Sequence, residues 1–301
     1  MSEKPKIHVL DLNFQGIAEV TAVYLIVGPD GPILIETGPG STLNTLLSQL
    51  RRHGFAPEQI KHVLVTHIHL DHAGAAGWWA QQGAQIYVHS FGARHLIAPE
   101  KLLASAQRIY GDKMDMLWGE MVPAPAEKVT EVFDNDVLAV AGLKITALET
   151  PGHARHHHVF VIGDVAFTGD AAGVHLPGFG LPDIPTPPPE FDLEAWESTL
   201  DRLLAHNFSA IYPTHFGLVA DAQAHLLAVK GVMQDTAVFI QTQMQAGLDR
   251  EAILAAHENR FANRARTAGL SEEAIVHYAA ANPLYMSVDG IMRYWQKRAQ
   301  G

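Results

Sequence analysis

The first forty residues alternate apolar runs with turn residues, a pattern that is typical of consecutive β-strands. Strands are predicted at residues 7–12, 22–27 and 33–36. The second and third are separated by residues 28–32, which include two glycines and two prolines and therefore favour a tight turn. The amino-terminal part of the chain is thus predicted to contribute strands to a sheet.

The pattern then changes to an alternation of helices and strands. Leucines between residues 43 and 50 follow helical spacing, which predicts a helix capped by Ser41 and ending near Gly54. Two β-rich halves flanked by helices predict an α/β fold, specifically a four-layer αββα sandwich. A further strand is predicted to end with the apolar run at residues 63–65, and another to span residues 85–89. Short helices are predicted within residues 97–121, and a second group of strands over about residues 129–170.

The last third of the chain has only helical spacing. We expect two domains, an αββα domain over residues 1–217 and a helical C-terminal region over residues 218–301. The apolar face around Met292 suits either a core or a contact between subunits, so a homodimer remains open. The predicted helices span residues 219–246, 249–259, 271–280 and 284–298, with glycine or Asn-Pro breaks between them.

Three histidines and an aspartate stand within six residues, directly after the apolar run at 63–65. They are His67, His69, Asp71 and His72. Imidazole nitrogens and carboxylate oxygens are the ligands that zinc and its first-row neighbours prefer. Burying four polar side chains behind an apolar strand is costly unless something coordinates them. A solvated loop is the alternative, since the chain holds 18 histidines, but the pattern favours a metal site.

Three more candidate ligands each follow an apolar run. They are His153, Asp170 and His215. A side chain at the end of a strand stands on a rigid support and faces an open edge, which is the placement that a catalytic metal requires. Each residue alone is weak evidence, but their order and similar placement predict one site.

The order His-x-His-x-Asp-His, followed by a distant His, Asp and His, resembles the metallo-β-lactamase superfamily over about residues 7–217. The resemblance is nearer to the glyoxalase-II-like branch, to a subgroup with a C-terminal helical extension, because Asp71 and His72 are both present and the bridging position holds Asp170 rather than cysteine. It implies two metal ions. One would be held by His67, His69 and His153, the second by Asp71, His72 and His215, with Asp170 bridging them.

Such a pair of ions predicts the hydrolysis of an ester-like bond, a thioester, a lactone or a related small substrate. Two cations can lower the pKa of a bridging water from about 15.7 to roughly 7, which makes it a nucleophile. Asp71 is the predicted catalytic residue, because it can orient the hydroxide, and either Asp71 or a metal-bound water returns a proton to the leaving group. Zinc is favoured, with iron and manganese as alternatives.

The sequence argues against some substrate classes and leaves others open. Acyl-homoserine lactonases of this superfamily carry a tyrosine soon after the bridging aspartate, where this chain has Ala171 to Val174, so a lactone is disfavoured. The same fold also hosts mononuclear-iron persulfide dioxygenases, the main alternative from another reaction class. A phosphodiesterase or nuclease is a further alternative, but the net charge of -11 argues against a nucleic-acid partner.

The chain is expected to be a cytoplasmic enzyme with no membrane partner. No run approaches the roughly 18 apolar residues that suggest a membrane span. Residues 1–6 are polar and no apolar export segment follows them. The sequence contains no cysteine, which excludes disulfides, thiolate ligands and a cysteine nucleophile.

Two further features border the predicted ligands. Glu36 stands where the superfamily often has aspartate, so it is predicted either to orient ligand side chains or to play a merely structural role. The proline-rich stretch 176–191, which contains Phe179, cannot form a helix or a central strand. It is predicted to be a semi-rigid wall over the metals that selects substrate, or else a linker to a helix capped by Asp192.

Overall fold

The computed structural model describes residues 5–177, 180 and 182–300. The backbone divides into two compact units that interleave along the chain. The first contains residues 1–149 and 156–169, and the second contains residues 150–155 and 170–301. The predicted domain boundary at Gly217 stays a prediction.

The first unit contains two sheets with helices. One sheet has the strand order β1-β2-β3-β4-β5-β6, antiparallel from β1 to β3 and parallel from β3 to β6. In the other, β7, β8, β9 and β10 pair with their chain neighbours as antiparallel strands. The strands are β1 Lys6–Asp11, β2 Ala22–Gly28, β3 Gly31–Ile35, β4 His62–Leu64, β5 Gln85–His89, β6 Val129–Val132, β7 Val137–Val140, β8 Leu143–Glu149, β9 His158–Ile162 and β10 Val165–Gly169.

Helices of the first unit follow the strands of the parallel part of the sheet. Two of them, α5 and α6, form the short helical pair that was predicted within residues 97–121. The helices are α1 Leu43–Arg52, α2 Leu70–Ala73, α3 Ala76–Gln81, α4 Ser90–Ile97, α5 Glu100–Tyr110 and α6 Met114–Trp118.

The parallel pairing of β3 with β4 decides which residues share one sheet edge. Ile35 lies opposite Leu64, so the residues that follow these two strands emerge side by side. Ile33 to Ile35 of β3 and Val63 and Leu64 of β4 are apolar and buried, as is usual for parallel strands covered on both faces. The backbone N–H of Glu36 continues the ladder by donating to the Leu64 carbonyl at 2.8 Å.

The predicted cap of α1 is wrong. The Ser41 hydroxyl donates instead to the carbonyl of Leu117 at 2.6 Å. Residues 40–42 form a short 3-10 turn, and α1 starts at Leu43 with no side-chain cap from Thr42. The serine that local spacing predicts as the helix cap thus forms its hydrogen bond with a residue 76 positions further along the chain.

The second unit is mainly helical. Asp192 caps α7 as predicted, because its carboxylate accepts from the Ala195 N–H at 3.0 Å. The end predicted at residue 259 for the second of the C-terminal helices is wrong, because α9 continues to Thr267. The elements of this unit are α7 Leu193–Ala205, β11 Ala210–Pro213, α8 Ala222–Gln245, α9 Arg250–Thr267, α10 Glu272–Ala281 and α11 Leu284–Gln300.

The extra length of α9 has a packing reason. Ile253, His257, Phe261 and Ala265 recur every four residues and are all buried. One apolar stripe therefore continues for two turns beyond the predicted end, since residues four apart lie on the same helix face.

The proline-rich stretch is described in part. The predicted substrate-selecting role of Phe179, and of residues 178 and 181 beside it, lies outside the described residues. The stretch from Asp183 to Thr186 is buried within the second unit. Among the helices in the described part of the chain, none is long and apolar enough to cross a membrane.

Candidate metal centre

Glu36 is the centre of a buried hydrogen-bond cluster in the first unit. It is completely buried and adopts a positive φ of 70° directly after β3. Its Oε1 accepts from the Thr66 hydroxyl at 2.5 Å, and its Oε2 accepts from the Thr66 N–H at 3.2 Å. A third donor, Nδ1 of His72, lies 3.1 Å from Oε1. Glu36 therefore contacts the predicted metal ligand His72 directly, which agrees with the interpretation that Glu36 orients a ligand side chain.

The four predicted ligands of the first unit lie close together. The rings of His67 and His72 are 3.9 Å apart between centroids, and Nε2 of His67 lies 2.9 Å from Nδ1 of His69. Oδ2 of Asp71 lies 3.5 Å from Nε2 of His72. Both His67 and His72 are completely buried, whereas the Asp71 side chain keeps 22% of its surface exposed. Asp71 is thus the carboxylate of this group that solvent can reach.

The three remaining predicted ligands lie together in the second unit. Nε2 of His153 is 3.4 Å from Oδ2 of Asp170, and Nε2 of His215 is 3.8 Å from the other oxygen, Oδ1. All three side chains are nearly completely buried. One carboxylate thus places a different oxygen towards each of two imidazoles.

The hydrogen bonds determine which histidine nitrogens carry protons. His153 Nδ1 lies 2.7 Å from the Pro185 carbonyl oxygen, which only accepts, so Nδ1 carries a proton and Nε2 is the nitrogen that faces Asp170. The same argument applies to His72, because its Nδ1 faces the Glu36 carboxylate. The single proton of the Thr66 hydroxyl goes to Glu36, so that hydroxyl accepts from Nδ1 of His67 at 3.1 Å.

These side chains fit a metal ion by their chemistry. Unprotonated imidazole nitrogens and ionised carboxylates are the ligands of zinc, iron and manganese. A metal-binding histidine commonly donates its other ring N–H to a carboxylate or a backbone carbonyl, which is what His72 and His153 do here. Each unit therefore contains candidate His and Asp ligands. That all seven residues together hold two ions stays a prediction.

Two contributors to the site were not singled out from the sequence. Thr66 has a detectable signal, since it stands between the strand and the first ligand, His67. The Pro185 carbonyl has none, because a backbone oxygen carries no residue-type information. Only the fold of residues 182–189 identifies Pro185 as the acceptor for His153.

Replacing Glu36 with glutamine should weaken metal binding and lower stability. An amide retains only one acceptor oxygen for the three donors that now meet the carboxylate. We expect the affinity for an ion held by His72 to fall about 10- to 100-fold, and the free energy of unfolding to fall by about 1–3 kcal/mol. Chelator competition and denaturant unfolding measure the two effects.

The matched control is Glu131→Gln, which makes the same change at an exposed position of β6. It should leave both measurements unchanged. A Glu36→Gln protein with the metal affinity and stability of the control would show that Glu36 does not orient His72.

A family model and individual relatives were compared with the chain. The model of the metallo-β-lactamase superfamily matches residues 16–215. The metallo-β-lactamase fold-containing protein ST1585 from Sulfurisphaera tokodaii is 29% identical over 206 residues, covering 67% of this chain and 75% of the relative. The atrochrysone carboxyl ACP thioesterase of Aspergillus fumigatus is 25% identical over 235 residues, which are 76% of this chain.

The length of the fungal relatives differs from that of this chain. The match spans 46% of the thioesterase and 53% of the lactamase-like protein adaB from Aspergillus niger, so the chain covers about half of these proteins. Among solved structures, the metallo-β-lactamase family protein TTHA1429 from Thermus thermophilus superposes with a TM-score of 0.70. The superposition covers 97% of this chain and 94% of that protein at 21% identity, which shows a shared fold.

These findings confirm the predicted fold class. The two sheets with helices are those of the predicted α/β metallo-β-lactamase fold. Helices α8 to α11 confirm the predicted helical C-terminal region.

Proposed function

Because the chain belongs to the metallo-β-lactamase superfamily, we propose that it is a binuclear metal-dependent hydrolase that cleaves an ester-like bond in a small substrate. The proposal rests on the position of Asp170, whose two carboxylate oxygens face the Nε2 atoms of His153 and His215. A carboxylate that faces a different imidazole with each of its oxygens suits a bridge between two ions.

We assign the ligands in two sets. His67, His69 and His153 would hold one ion, Asp71, His72 and His215 would hold the second, and Asp170 would be shared between them. The assignment is supported by the burial of most of these side chains and by the protonation of His72 and His153 at Nδ1. Zinc is the preferred ion because the donors are imidazole and carboxylate in a site free of thiolates, and iron and manganese suit the same donors.

The bound ions would supply a Lewis acid and would make a water deprotonate near neutral pH. The protein contributes the positions of the reacting groups. Asp71 is the proposed catalytic residue because its side chain is partly exposed while its neighbour His72 is buried. Its carboxylate can accept the proton of the attacking water and return it to the leaving group. Glu36 and the Pro185 carbonyl keep His72 and His153 in the orientation that binding requires.

The favoured substrate class is a thioester. One relative is named a thioesterase acting on an acyl carrier protein, and the absence of tyrosine at 171–174 argues against a lactone. Within the superfamily we place the chain nearest to the glyoxalase-II-like branch, because Asp71, His72 and Asp170 are all present.

Metal quantification combined with a substrate panel tests the proposal. The purified full chain should hold about two ions and should hydrolyse thioesters faster than lactones and phosphodiesters. A His215→Ala preparation from the same host serves as the blank for contaminating esterases. One iron per chain with oxygen consumption would contradict the hydrolase, and so would cleavage of RNA or DNA without any hydrolysis of small esters.

A further inference from the structure

The support of His153 comes from a distant part of the chain. The group that accepts from its Nδ1 is not a side chain but the backbone carbonyl of Pro185, 32 residues further along the chain. The position of this peptide is therefore one determinant of the orientation of the imidazole. We call residues 182–189, which contain it, the proline segment.

Hydrogen bonds from the C-terminal helices hold the peptides on both sides of Pro185. The carbonyl of Ile184, immediately before it, accepts from the Ser287 hydroxyl at 3.1 Å and from the Asn282 side-chain amide at 3.2 Å. Immediately after it, the Thr186 hydroxyl donates to the carbonyl of Ser287 at 3.3 Å. Asn282 directly follows the last residue of α10 and Ser287 lies in the first turn of α11, so two helices hold one short segment.

The contact with α11 is also sterically tight. A Cβ built on Gly290 would overlap the carbonyl oxygen of Thr186 and approach the Pro187 carbonyl carbon. Glycine at this position therefore lets the helix backbone reach the proline segment. Ile184, Thr186, Asn282 and Ser287 are all at most 2% exposed, so these hydrogen bonds lie in the interior of the second unit. Buried networks of this kind hold a unique geometry, because a shifted member would lose its partner without gaining water.

We propose that α10 and α11 position His153 through the proline segment, with Asn282, Ser287 and Gly290 as positioning residues. This inference rests on the proposed function for its consequence, since His153 is one of the proposed ligands. The helices keep the Pro185 carbonyl where it accepts from Nδ1, and Nε2 is thereby directed towards Asp170, 3.4 Å away. The C-terminal helical region is then part of the metal centre's support rather than an appendage.

Gly290→Ala tests this with a single methyl group. The added Cβ must displace the peptide between Thr186 and Pro187, which moves the neighbouring Pro185 carbonyl. We expect zinc affinity, measured by chelator competition, to fall about 10- to 100-fold. The matched control is Gly231→Ala in α8, where a Cβ meets nothing within 4 Å. The control should bind zinc as the unsubstituted protein does and be at least as heat-stable, since alanine favours a helix.

A second measurement, of the protonation site of His153, requires neither a bound metal nor enzymatic activity. In the metal-free protein with 15N-labelled histidine, NMR should show His153 protonated at Nδ1, with the assignment made from a His153→Gln variant. Gly290→Ala should reduce the fraction of this tautomer and Gly231→Ala should not. If Gly290→Ala fails to fold by circular dichroism, Ser287→Ala replaces it, because it removes one donor to Ile184 without steric overlap.

The outcomes separate this inference from the proposed function. A His153 ring with no proton on Nδ1 in the unsubstituted protein would overturn the positioning role, as would a Gly290→Ala protein that matches Gly231→Ala in Nδ1 protonation and zinc affinity. A chain that binds no zinc and hydrolyses nothing in the panel would refute the proposed function alone, because the nitrogen signals of the metal-free protein still report on the proline segment.

Discussion

Asp170→Ala should reduce kcat/KM for the preferred ester by more than about 100-fold and leave fewer than two ions per chain. Asp170 is 2% exposed, and its two oxygens lie 3.4 Å and 3.8 Å from Nε2 of His153 and His215. Alanine removes a carboxylate that both imidazoles face. Changes to residues that merely support a metal ligand cost about 10- to 100-fold, so removing a shared ligand should cost more.

The measurement combines metal analysis of the purified variant with steady-state kinetics. Asp201→Ala is the control, because Asp201 is an exposed aspartate of the same unit that contacts Lys230 at 2.5 Å. An exposed ion pair contributes at most about 1 kcal/mol, so the control should keep its ions and its activity. If Asp170→Ala retained two ions and full hydrolytic activity, the assignment of Asp170 as the bridging ligand would be wrong.

Removing the metal ions should abolish hydrolysis, and adding Zn²⁺ should restore it. Without the ions, water at neutral pH is a poor nucleophile, since its pKa of about 15.7 falls to roughly 7 only beside a metal. The chain has no cysteine that could attack the substrate instead. Chelation followed by dialysis should therefore leave activity at the level of the His215→Ala blank.

The fold should survive this treatment, because both units have extensive apolar interiors of their own. Circular dichroism of the metal-free protein checks this point, and return of activity with Zn²⁺ shows that the loss was not unfolding. Parallel additions of Mn²⁺ and Fe²⁺ rank the ions that suit the same donors. Full activity in protein with no detectable metal would refute a metal-dependent mechanism.

The candidate ligands were predictable because their signals are local. His67, His69, Asp71 and His72 form one motif, and strand patterns precede the other three candidates. Strands and helices were predicted for the same reason, since apolar periodicity reports burial directly. The predictions that failed concern positions where a tertiary contact competes with a local sequence signal. Ser41 donates to a distant carbonyl rather than capping α1, and α9 continues past residue 259 because a buried stripe outweighs the polar residues around it.

The sequence by itself determined the chemistry available to this protein, namely imidazole and carboxylate donors without thiolates, arranged at the ends of apolar segments. The tertiary structure decided how those donors are oriented. The parallel register of β3 and β4 brings Glu36 to Thr66 and His72, and the packing of α10 and α11 brings the Pro185 carbonyl to His153. Such contacts join residues about 30 or more positions apart, and one of the partners is a backbone oxygen. Residue identity specifies which atoms can bind a metal, but hydrogen bonds formed only in the folded chain specify where those atoms point.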